Sequence, residues 1–162
     1  MDMDTYLDQI GEAADTAIWY VFEYELRHAD ESGNRWSAYD AQKMAGARMG
    51  RLMAEQALAT AVLQIAHQGV CAVHGAPKNA PWGREIADLR LPINSAIWFG
   101  RNQAMHWEEG NLRPATKGFF ESAEASYPTL SDFEQAPRAV EILRMLGWRS
   151  LEAFHRDLLS LA

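Results

Sequence analysis

The residues best suited to chemistry stand close together, in the segment Trp98-Phe99-Gly100-Arg101-Asn102-Gln103-Ala104-Met105-His106-Trp107-Glu108-Glu109-Gly110. An imidazole accepts or donates a proton near neutrality. A guanidinium stays charged and can hold a phosphate through two parallel hydrogen bonds. Neither task needs a metal. Asn102 and His106 are four residues apart and share a helix face, so the amide can orient the ring. Arg101 and His106 are five apart, about 140° around a helix axis with about 7.5 Å of rise. One helix does not easily aim both at a single phosphate, whereas two copies meeting across a two-fold axis could. Trp98, three residues before Arg101, can pack on the guanidinium or stack a base. The same trio could instead form a buried polar network that fixes helix packing. Glu108 and Glu109 follow the histidine directly and would repel a phosphate.

Other constellations are weaker. Glu25-x-x-His28 and Glu152-x-x-His155, with two further Glu, would make the ligand set of a ferritin-like di-iron bundle. Here His28 stands at a helix end beside Asp30, His155 lies near the C-terminus, and Glu55 is the one mid-helix Glu of the second helix. Solvated helix ends are the simpler reading. His67, Cys71 and His74 could bind zinc, but a fourth ligand is missing. Cys71 reads as a small buried hydrophobe. No metal or other cofactor is expected. Lys78, Arg84 and Arg90 put positive charge on one loop, and Lys78 and Arg84 are taken as candidate substrate-binding residues beside Trp98. Met44, Met49 and Met53 recur along one helix, as core filling or as an adaptable interface, with core filling preferred. Trp148, after Gly147, is expected to anchor packing.

These residues need elements to carry them. The chain has 162 residues, 48% hydrophobic and 23% charged, enough for one domain with a full core. Helix formers dominate and strand-like alternation is missing. The first helical segment runs from about residue 4 to 28, and the second from about 37 to 67 with Gly69 as its stop. Gly46 and Gly50 lie inside the second and would suit a close helix crossing. A long loop is expected over 69–93, punctuated by Gly75, Pro77, Pro81, Gly83 and Pro92. Asn94 or Ser95 should cap a helix ending near Trp107. Short helices follow at about 115–125, 139–146 and 151–161, the last capped by Ser150. The expected fold is all-α, a bundle of four to six helices: a single domain over 1–162, with a core bundle at 1–112 and a C-terminal helical extension at 113–162.

The net charge is 15 − 22 = −7. That excludes a non-specific coat for nucleic acid but not a small local RNA site. The single cysteine excludes an intrachain disulfide framework, and a reducing, cytoplasmic setting is expected. The acidic start Met1-Asp2-Met3-Asp4 lacks the basic region of a secretory signal, and no 18-residue apolar run is present. No membrane partner is expected.

Arg101-Asn102-x-x-x-His106, set in a helix of an all-α chain, resembles the signature of the HEPN superfamily. Its motif is Arg, four to six residues, then His, commonly with Asn directly after the Arg. Arg149 to His155 matches only the looser form. The direct resemblance covers about a dozen residues, since the rest agrees only in helix content. The resemblance implies a metal-independent endoribonuclease of the toxin or antiphage-defence type, acting on RNA as a homodimer with facing motifs. An antitoxin or another defence protein would be a partner. It implies His106 as general acid and base, Arg101 as phosphate stabiliser and Asn102 as the orienting residue. Two alternatives stay open: an inactive bundle of this kind that binds a protein or nucleotide, and the ferritin-like metal protein.

Overall fold

A computed structural model describes residues 1–28, 38–87 and 89–162, and their side chains except those of residues 23–28, 38–45 and 47. Asp2 starts helix α1 (Met3–His28) by accepting the Thr5 N–H at 2.8 Å. Its inward stripe, Met3, Leu7, the half-buried Ile10, Ala14, Ile18 and Val21, repeats at three to four residues. Helix α2 (Ala38–His74) is the central element, packed against α1, against α3 (Ile93–His106) and against α5 (Ala139–Leu146). Helix α4 (Pro114–Glu124) flanks α3, and α6 (Leu151–Leu159) returns to α1. The fold is an all-α bundle with six helices among the described residues.

Several boundaries differ from expectation. Gly69 does not stop α2, which continues one and a half turns to His74. At Gly69 a Cβ would stand 2.7 Å from the Tyr6 ring, so the glycine admits α1 rather than ending α2. The stop is Gly75, whose N–H reaches the Cys71 carbonyl at 2.8 Å. The loop therefore shortens to 75–92. It contains a 3-10 turn at Pro77–Asn79 and two two-residue strands, β1 (Glu85–Ile86) and β2 (Leu91–Pro92), paired antiparallel with Ile86 opposite Leu91. Asn94 does not cap α3. Pro92 holds the cap position with no side-chain bond, and the Asn94 amide donates to the Pro77 and Pro81 carbonyls at 3.0 and 3.2 Å. Ser150 does cap α6, through the Ala153 N–H. A close crossing at Gly46 and Gly50 is not found: among the described residues a Cβ at either would meet nothing.

The segment 113–162 is part of the core rather than an added layer. Trp148, Ile142, Leu143, Phe154 and Leu158 are buried, and Phe99, Phe119, Phe120 and Phe133 form one chain of ring contacts. The stretch Arg48–His74 is long and apolar enough, by length and composition, to cross a membrane. Its buried face, Ala59, Val62, Leu63, Ala66 and Val70, belongs to the bundle core, and it carries Glu55, Gln56 and Gln64.

Candidate functional site

Three segments shape the site. Helix α3 supplies Trp98, Arg101, Asn102 and His106. A 3-10 turn, Trp107–Glu109, follows at once and ends at Gly110, whose φ of 63° lets the chain reverse. The irregular return segment 111–113 and the start of α4 bring Asn111, Leu112, Arg113 and Thr116 back against the helix. Together these residues and Glu109 line a cleft of about 240 Å³. Arg101 and His106 thus share one cleft within one chain, despite their separation around the helix. Side-chain length and the reversal at Gly110 overcome an angle that backbone geometry alone makes unfavourable.

The guanidinium of Arg101 is held from two sides. Nε donates to Gln64 Oε1 on α2 at 2.7 Å, and Nη1 donates to Asn102 Oδ1 at 3.0 Å. Among the described residues no carboxylate pairs with it, so its charge is left for an anion. Asn102 therefore orients the arginine, where spacing suggested the histidine. His106 is instead oriented by Glu109: Nδ1 lies 2.6 Å from Oε1. A carboxylate can only accept, so it fixes the Nδ1–H form and leaves Nε2 for chemistry. The His106 side chain is 47% exposed.

Behind the cleft stand His67 and Cys71. The His67 ring lies against Trp98, centroids 5.1 Å apart, and its nitrogens are 3.8–3.9 Å from Cys71 Sγ. Burial, and secondarily the charge of Arg101, hold the His67 pKa below its ordinary value. Burial pushes the Cys71 thiol up, partly opposed by Arg101. His74 turns away, to the Leu161 carbonyl at 2.5 Å. Among the described residues no three His, Cys, Asp or Glu side chains converge as metal ligands. The side chains of Glu25 and His28 lie outside the described residues. Glu55 pairs with Arg51 at 3.1 Å.

Other candidates separate. Arg84 is not in the cleft. Its Nε and Nη2 donate to Asp157 at 2.8 and 2.6 Å, and Nη2 also reaches the Leu146 carbonyl. Asp157, almost fully buried, also accepts from the Trp148 indole at 2.8 Å. The Asp157 hydrogen bonds and charge raise the Arg84 pKa further. Arg84 is thus a structural clamp. Lys78 lines a second, neighbouring pocket with Trp82, Trp98 and Phe99. Gln103, fully buried between the motif residues, donates to the Phe133 and Ala136 carbonyls and accepts the Arg138 N–H, tying α3 to the turn before α5. Met49 and Met53 are exposed rather than core, and the Met44 side chain lies outside the described residues. With Leu52, Ala104, Trp107 and Pro137, Met49 and Met53 line an open groove of about 740 Å³. Spacing did not identify Gln64, Arg113 or Thr116. Only Gln64 left a trace, as a polar residue inside the apolar run Leu58–Ala66.

No family model, curated protein or solved structure matched the chain.

Proposed function

We propose that this chain is a HEPN-type, metal-independent endoribonuclease, working as a homodimer in a toxin or antiphage-defence setting. The observation that carries the reading is the cleft itself: Arg101, Asn102 and His106 line one space, with Arg101 unpaired by any carboxylate among the described residues and His106 fixed by Glu109. Nε2 of the neutral ring accepts the 2′-hydroxyl proton, and the oxygen attacks the adjacent phosphorus. The bond to the 5′-oxygen breaks, and that oxygen takes a proton from the imidazolium. The products are a 2′,3′-cyclic phosphate and a 5′-hydroxyl. Arg101 stabilises charge on the phosphoryl oxygens. Glu109 is a positioning residue in this scheme and stabilises the imidazolium between the two transfers.

The homodimer follows from the resemblance and is supported by the apolar groove, which borders α3 at Ala104 and Trp107. The same groove favours a second reading, an inactive bundle that binds a protein partner.

Substitution decides between them. His106→Ala should lower RNA cleavage about 10²–10⁴-fold with the melting temperature unchanged. Arg101→Ala should cost comparably, and Arg101→Lys should rescue poorly, because an ammonium cannot bind bidentately. Cleavage by the wild type should survive EDTA. His155→Ala, in the looser Arg149-to-His155 match, should be silent. Activity that merely tracks folded protein across these variants would make the trio structural. A wild type that cleaves no RNA would leave the partner-binding reading.

A further inference from the structure

We propose that the pocket walled by Trp82, Trp98 and Phe99 is a nucleobase subsite, holding one base of the single strand whose phosphate lies against Arg101. This rests on the reading above and extends it from the reacting phosphate to a neighbouring base. The pocket measures about 340 Å³ and is edged by Pro77, Lys78 and Ser95. It adjoins the cleft of Arg101 and His106, because Trp98 lines both. The His67 ring packs against Trp98, with centroids 5.1 Å apart.

Trp82 gives the pocket its character. The residue is 69% exposed, and among the described residues it has no aromatic partner. Its backbone is nevertheless pinned. The buried Asn94 amide holds the Pro77 and Pro81 carbonyls, and the Asn94 N–H reaches the Trp82 carbonyl at 3.4 Å. Gly83, at φ 69°, packs so closely that a Cβ would stand 2.6–2.7 Å from Leu161 and Ile93. The Ile93 N–H holds the Arg84 carbonyl at 3.0 Å, and Arg84 is clamped to Asp157. The backbone that carries this indole is thus fixed while the residue stays exposed, an arrangement that suits a stacking platform. The walls are almost wholly apolar, and the Asn94 amide is already committed. Such a pocket suits the face of a flat ring, not the reading of its hydrogen-bonding edge. Lys78 adds a cation at the rim for the backbone that carries the base. The subsite should need a base and tolerate any base.

The probe is a labelled 2′-O-methyl oligouridine, which cannot be cleaved by 2′-attack, compared with an abasic oligomer of equal length. Anisotropy titrations should show the wild type binding the base-bearing strand more tightly. Trp82→Ala should raise that Kd about 5- to 150-fold, Trp82→Phe should raise it much less, and binding of the abasic strand should not change. An unchanged Kd in Trp82→Ala, with binding still weakened by Arg101→Ala, overturns the subsite and leaves the nuclease reading standing. Equal wild-type affinity for the two strands overturns it likewise. Failure of the wild type to bind either strand overturns both readings.

Discussion

Arg101 is set by Gln64 across the helix interface, and His106 by Glu109, three residues on in the turn that follows. That Arg101, Asn102 and His106 form a group was legible from sequence, because Arg, Asn and His at this spacing are uncommon together. Their partners were not, because a 37-residue separation such as Gln64 to Arg101 leaves no periodic signal. Glu109 was visible, but only as a charge hostile to phosphate. The pair of uses open to Asn102, histidine or arginine, depends on a rotamer. His67 carries a prediction of its own. Its folded pKa lies below the ordinary 6.5, chiefly through burial. The contribution of its neutral form is therefore fully present above about pH 6.5 and is lost as pH falls below that through the folded value. Urea unfolding at pH 7.5 and 5.5 should show a smaller acid loss in His67→Gln than in the wild type. An identical acid loss in the two proteins would remove His67 from the account.

At the scale of elements, punctuation residues marked most helix ends correctly. The 139–146 helix closes at Gly147, and Ser150 caps α6, as expected. Gly69 misled because a helix stop and a close helix contact call for the same residue, and only the Tyr6 ring distinguishes them. Asn94 misled because a cap and a loop anchor use the same amide. The glycines of α2 and α3 make opposite predictions. Gly50 is exposed with open space around it, so Gly50→Ala should add about 0.5–1 kcal/mol of stability from helix propensity. Gly100 is buried, and a Cβ there would lie 2.9 Å from Ile142. Gly100→Leu should cost about 1–3 kcal/mol or more, since a β-branched neighbour yields little. Thermal melts of the two variants should move in opposite directions. A Gly100→Leu melt at or above wild type would mean that α3 and α5 can separate freely.

The whole molecule shows which surfaces the fold leaves uncovered, and helical periodicity could not. Met49 and Met53 fall at core-like intervals, yet among the described residues no element closes over them or over the groove beside α3. On the homodimer proposal, Leu52→Asp should shift the protein to a monomer in light scattering and reduce cleavage, with helix content unchanged. A monomeric wild type, or a dimer indifferent to this charge, would place any assembly elsewhere. The clamp between Arg84 and Asp157, with Leu161 beneath Gly83, binds the middle of the chain to residues near its end. During synthesis the N-terminal parts are available first. Helices α1 to α3, and the motif with them, can meet while the tail is still being made. The Trp82 loop cannot take its final shape until residues 157–161 have left the ribosome, so that loop is completed after the helix that carries Arg101 and His106.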